Sequence, residues 1–104
     1  MSLRHLVLFR FKPTASAQEI AGLIEHFGRL PREIPGILGF EHGQNNSPEG
    51  LAKGLTHAFL VTFENAAARD AYLPHPAHKA FVERLGPSLD DVLVIDYTPQ
   101  VAAR

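Results

Sequence analysis

Residues Leu3 to Lys12 constrain the fold more than any other part of the chain. One alternating row is Leu3, His5, Val7, Phe9 and Phe11, and the other is Arg4, Leu6, Leu8, Arg10 and Lys12. Successive side chains of a strand point to opposite faces. Both rows here are apolar at their centres, so the strand has to be covered on both sides. His5 stands inside one of those rows, and apolar strands rarely carry a histidine without a structural or chemical reason.

The rest of the chain supplies the layers around that strand. Ser16-Ala17-Gln18-Glu19 has the form of a capping box, and Ile20, Leu23, Ile24, Phe27 and Leu30 follow at helical spacing. Pro31 and Pro35-Gly36 are expected to end that helix. A second strand is predicted over Ile37–Gln44, with Leu38, Phe40 and His42 on one face and Ile37, Gly39 and Glu41 on the other. It is less apolar, as suits an edge strand. A polar loop with Pro48, Gly50 and Gly54 leads to a third strand over Leu55–Glu64, and a fourth is predicted over Asp91–Thr98. Between these two lie a short helix from Ala66 to Leu73, a break at Pro74, and a second helix opened by His75-Pro76 and stopped by Gly86-Pro87.

The order β-α-β-β-α-β defines an α+β, ferredoxin-like fold with one four-stranded antiparallel sheet. Its 104 residues are expected to form one domain over residues 1–104. Helices cover only one face of such a sheet, so Leu6, Leu8, Ala58 and Leu60, or the alternate rows of those strands, are left on the other. An exposed apolar patch of that size marks an interface. The expected partner is a second copy, with the two sheets packed face to face.

Composition narrows the chemistry. A formal net charge of −1 gives no electrostatic case for nucleic acid or an acidic membrane surface. The chain has no Cys, which excludes disulfides, thiolate zinc sites and cysteine nucleophiles. Arg4, His5, Arg10 and Lys12 interrupt the N-terminal apolar stretch, so the reading is neither signal peptide nor membrane span, and the expected compartment is the cytoplasm. On that reading the sequon Asn45-Asn46-Ser47 is a chance match.

The candidate chemistry sits in Tyr72-Leu73-Pro74-His75-Pro76-Ala77-His78, at the break between the two short helices. His5 and His57 both fall in the odd-numbered rows of their strands, and on adjacent strands both point to one face. The expectation is a single pocket lined by His5, His57, Tyr72 and His78 between helices and sheet. His75 stands where a helix N-cap belongs and is read as structural. No metal site and no cofactor are expected. His75 and His78 span a helix start rather than one helical face, and no Cys or acidic cluster joins them.

Several stretches together resemble the stress-responsive dimeric α/β-barrel (Dabb) family. They are Arg4–Lys12, Ile34-Pro35-Gly36-Ile37, Gly54–Phe59 with Phe63-Glu64, Arg69–His78, and Asp96-Tyr97. The resemblance implies a homodimeric barrel built from two four-stranded sheets with the helices outside. A characterised plant polyketide cyclase of this family works without a cofactor, through a tyrosine and a histidine that match Tyr72 and His78. By that resemblance His78 is the general base, Tyr72 the hydrogen-bond donor, and His5 and His57 support them. The ligand it implies is a small aromatic or polyketide-like molecule. These roles suit the residue types, because an aldol-type step needs a base of near-neutral pKa and a donor to the developing oxyanion. Two alternatives stand beside the cyclase-like lyase: a non-catalytic stress-associated dimer or metabolite-binding module, and the monooxygenase-like activity of related barrels.

Overall fold

The structure is a computed structural model that describes residues 1–100. Its elements are β1 (Leu3–Phe11), α1 (Ala17–Glu33), β2 (Ile37–Gln44), β3 (His57–Phe63), α2 (Ala66–Tyr72), α3 (Pro76–Leu85) and β4 (Leu89–Tyr97). A single 3-10 turn, Gly86–Ser88, carries α3 into β4. The four strands form one antiparallel sheet in the order β2-β3-β1-β4. This is the ferredoxin-like arrangement anticipated from the order of elements, with β1 in the interior and β2 at an edge.

The alternation of β1 decides the layering. Leu3, His5, Val7 and Phe9 are buried, whereas Arg4, Leu6, Leu8 and Arg10 are half-buried. The buried row meets Leu23, Phe27 and Leu30 of α1 and Phe81 and Leu85 of α3. Phe27 is the hub: its ring centroid lies 4.8 Å from those of Phe59 and Phe81. Such ring contacts add about 1 kcal/mol each beyond the area they bury. The opposite face of the sheet carries Leu6, Leu8, Ala58 and Leu60, flanked by Leu93, Ile95 and Tyr97, which are 43–49% exposed. The molecule is 16 Å across its thinnest Cα extent, room for one sheet and one helical layer.

Local chemistry explains most boundaries and corrects three expectations. Ser16 Oγ accepts from Glu19 N at 3.0 Å, as a capping box requires. The return half of the box is missing, because Glu19 Oε2 accepts instead from Ser88 Oγ at 3.3 Å. Pro31 does not end α1. It lies in the last turn, and the bond from Ile34 N to Leu30 O, 2.9 Å, carries the helix past it. In β2 a register shift between Ile37 and Gly39 makes Leu38 the extra residue of a bulge. Ile37 therefore packs with Phe40 against the core, and Leu38 is 64% exposed instead of sharing their face.

Gly36 sets how α2 sits on the sheet. Its φ is +92°, and a Cβ there would stand 2.7 Å from Ala68 Cβ on α2. Only glycine meets both conditions cheaply. Gly36→Ala is expected to destabilise the protein by about 2 kcal/mol or more, measured by urea unfolding. An unchanged midpoint would show that α2 is not seated through this contact.

Candidate functional site

A cleft of about 250 Å³ opens between α3 and the β1–β4 pair. His5, Tyr72 and His78 gather at one end of it. Val7, Phe9, Phe27, Phe81, Leu85, Leu89 and Val92 continue the lining toward the other. The direction follows from register: His5 lies opposite Asp96 and Phe9 opposite Val92, so the polar end and the apolar end are four strand residues apart, about 13 Å. Two other depressions, of about 300 and about 340 Å³, carry His57 and His42 respectively, and neither contains Tyr72 or His78.

Each polar group reaches the cleft for a local reason. Tyr72 is the last residue of α2, whose start is capped by Asn65 Oδ1 accepting from Ala68 N at 2.8 Å. Pro74 breaks the helical path. His75 then caps α3, its Nδ1 accepting from Ala77 N at 3.0 Å, which is the structural place expected for it. This break folds α3 back so that the rings of Tyr72 and His78 lie 4.2 Å apart. His5 approaches Tyr72 from the sheet with ring centroids 5.8 Å apart.

The hydrogen bonds fix which atoms are available. His78 Nδ1–H donates to the Leu73 carbonyl at 3.0 Å, which leaves Nε2 with its lone pair. His5 Nδ1–H donates to Asp96 Oδ1 at 2.6 Å, so in the neutral ring Nε2 is the acceptor. Asp96 Oδ2 accepts from Arg69 Nη1 at 2.7 Å, and Arg69 Nε also donates to Asp70 Oδ1 at 2.7 Å. Among the described residues no protein group bonds the Tyr72 hydroxyl or either Nε2, and none of these three atoms is sealed from the surface. The result is one donor and two acceptors facing a largely apolar cleft.

Burial sets the protonation of these groups. Desolvation pushes the Tyr72 phenol above its usual value, so it remains a donor at neutral pH. Desolvation holds His78 below its usual value and outweighs the opposing Leu73 bond, and the neighbouring His5 and His75 rings disfavour a further positive charge, so its Nε2 is a free base at neutral pH. For Asp96, burial alone would raise the carboxyl, but hydrogen bonds from Arg69 and His5 outweigh it and the net shift is downward.

His57 does not join this group. It is on the helix-facing side of β3, as expected, but it pairs with Phe9 whereas His5 pairs with Val61. Four residues of strand, about 13 Å, therefore separate the two histidines. His57 packs edge-on against Phe11 with centroids 5.0 Å apart, and its Nδ1 bonds Thr56 Oγ1 at 2.8 Å. The four-residue pocket read from the sequence is thus a three-residue pocket. Asp96 and Arg69 have no site role in the sequence analysis. The available signal was the row Val92, Val94, Asp96, which puts an acid where an apolar strand needs a reason for one. No group of three or more metal-binding side chains occurs among the described residues.

Fold and cleft together define a ferredoxin-like α+β protein with a histidine–tyrosine site at the end of an apolar cleft. The chain belongs to the stress responsive A/B barrel domain family (Dabb), whose profile matches residues 3–99. It is 40% identical over 97 residues to a stress-response A/B barrel domain-containing protein of Arabidopsis thaliana, covering 93% of this chain and 89% of the relative. It is 27% identical over 100 residues to olivetolic acid cyclase of Cannabis sativa, covering 96% and 99%. Among solved structures, hydroxynitrile lyase from Passiflora edulis superposes with a TM-score of 0.91 at 26% identity, covering 99% of this chain and 97% of that one. A protein from Jannaschia sp., described as dimeric and ferredoxin-like, superposes with a TM-score of 0.83 at 30% identity, covering 95% and 100%.

The depressed Asp96 carboxyl predicts an acid dependence. Its network contributes stability above the unfolded carboxyl value of about 3.9 and loses it as pH falls through the lower folded value. The stability gap between wild type and Asp96→Asn is expected to be constant at neutral pH and to narrow below about pH 4. Urea titrations across that range measure it, and a gap that stays constant into acid would contradict the shift.

Proposed function

We propose that this protein is a homodimeric, cofactor-independent carbon–carbon lyase or cyclase acting on a small carbonyl compound, aromatic or polyketide-like. The observation that carries the reading is the pairing of the Tyr72 and His78 rings, centroids 4.2 Å apart, with hydroxyl and Nε2 both unbonded by protein among the described residues. In the condensing direction His78 Nε2 takes a proton from the carbon next to a carbonyl. The resulting enolate carbon attacks a second carbonyl carbon, and the new alkoxide takes the Tyr72 proton. His78 then returns its proton to the phenolate. In the cleaving direction the same transfers run backwards. A base of lowered pKa and a phenol of raised pKa suit these roles, because neither loses its working form at neutral pH.

His5 orients the substrate by offering Nε2 as an acceptor to a substrate hydroxyl. His57 could act only at a distance, since the cleft lining does not include it. Support also comes from the two similar proteins named as a cyclase and a hydroxynitrile lyase, both carbon–carbon chemistries. The apolar cleft gives the ligand's hydrocarbon part a dry place to lie.

Two experiments test the reading. A panel of aldehydes, cyanohydrins and linear polyketide analogues is assayed for carbon–carbon cleavage or ring closure without added cofactor. Turnover is expected in wild type and is expected to fall by about 100-fold or more in His78→Ala and Tyr72→Phe while both remain folded. Ligand binding without turnover would favour the metabolite-binding alternative. For the dimer, Leu60→Asp is expected to yield monomers or unfolded chains by light scattering, because a carboxylate cannot be buried unpaired between two sheets. A folded dimer in that variant would refute face-to-face packing.

A further inference from the structure

The Asp96 carboxylate is placed to do more than partner His5. One oxygen holds His5 Nδ1 at 2.6 Å, and the other holds Arg69 Nη1 at 2.7 Å. Arg69 and Tyr72 are three residues apart on α2, which puts them on neighbouring positions of one helical face. His5 is on β1, Asp96 is its direct cross-strand partner on β4, and Arg69 reaches the same carboxylate from the helical layer. Two of the three groups that meet in the cleft are therefore tied to a single side chain. The third, His78, is oriented independently by the Leu73 carbonyl.

We infer that Asp96 is the common positioning residue of the site: it fixes the His5 ring with Nε2 toward the cleft and, through Arg69, anchors the helix that carries Tyr72. The physical case rests on what else could do either job. Among the described residues no other group bonds the His5 ring, so without Asp96 nothing selects the Nδ1–H form. Helix α2 has only seven residues, too short to hold itself in place. Its other attachments include the Asn65 cap, the contact of Ala68 with Gly36, and the buried Tyr72 ring against Phe63, His5 and His78 at 4.9, 5.8 and 4.2 Å between centroids. Among the described residues the Arg69–Asp96 bond is the one side-chain hydrogen bond between α2 and the sheet, and both side chains are 22–23% exposed, so it is shielded from full solvent screening. The carboxylate also keeps its charge, since Arg69 and His5 together lower its pKa. This is the orienting role that a carboxylate plays behind an imidazole in many sites, extended here to a second group through a guanidinium.

The inference deepens the catalytic reading of the cleft, but its test needs no substrate. Long-range proton–nitrogen spectra of ¹⁵N-histidine-labelled protein at pH 8 report which ring nitrogen of each histidine carries hydrogen, with His5→Gln to assign the His5 signals. Wild type is expected to show Nδ1–H at His5 and at His78. In Asp96→Ala the His5 signals are expected to move to the Nε2–H form while His78 stays unchanged. Asp96→Asn, whose side-chain oxygen still accepts from Nδ1–H, is expected to rescue the wild-type form and covers the case in which Asp96→Ala does not fold. Arg69→Met is expected to leave the His5 tautomer intact while amide exchange across Ala66–Leu73 rises by roughly tenfold, a loosening of α2 alone.

A His5 ring that keeps Nδ1–H in Asp96→Ala, or that carries Nε2–H in wild type, overturns the first half. Exchange across α2 that is unchanged in Arg69→Met overturns the second. These outcomes are separate from turnover: absence of any activity with a normal tautomer pattern would sink the lyase reading and leave the positioning role standing.

Discussion

The structure depends on satisfying a histidine that the chain places in a buried strand row. His5 lies between Leu3 and Val7 under the helical layer, where an unpaired imidazole would cost about 1–3 kcal/mol. The antiparallel pairing of β1 with β4 supplies Asp96 directly opposite. A carboxylate in that half-buried place in turn needs a cation, and Arg69 from α2 provides it. Each group is required by the one before it. The chain of requirements crosses strand, strand and helix, and so fixes how α2 and its Tyr72 sit on the sheet.

The same burial that stabilises the core prepares the cleft. Apolar walls raise the Tyr72 phenol and lower the His78 imidazole, so one remains a donor and the other a lone-pair acceptor at neutral pH. No separate device is needed to hold those states. The cleft stays open because β4 is an edge strand with no helix directly over Val92 and Val94, which are 44% and 51% exposed. The 10 residues of α3 cover Phe27 and Phe9 from one side and leave the other side of the cleft accessible.

Much of the fold was legible because it rests on periodicity and short-range chemistry. The row in β1, the Ser16 cap, the glycine turn at Gly36 and the break at Pro74 all act within a few residues, and all appear where the sequence puts them. The misses lie where a helix, strand or distant side chain offers another partner. Glu19 leaves its capping box because Ser88, distant in sequence, competes for it. Pro31 is tolerated because the next helical bond, from Ile34 N, skips over it. Leu38 changes face because a bulge forms against β3. The first and third are settled by partners distant in sequence, the second within the helix itself.

The candidate site divides along the same line. The sequence alone determined the element order, the face on which His5 and His57 lie, the juxtaposition of Tyr72 and His78 around a proline break, and membership of the family. The first three follow from side-chain alternation and turn chemistry, which operate along the chain, and the last from the resemblance of several stretches to the family. Only the tertiary structure decided that His57 stands about 13 Å from His5 and that Asp96 and Arg69 replace it beside the site. Strand register sets that outcome, and register is fixed by how whole strands pack against one another rather than by any residue's immediate neighbours.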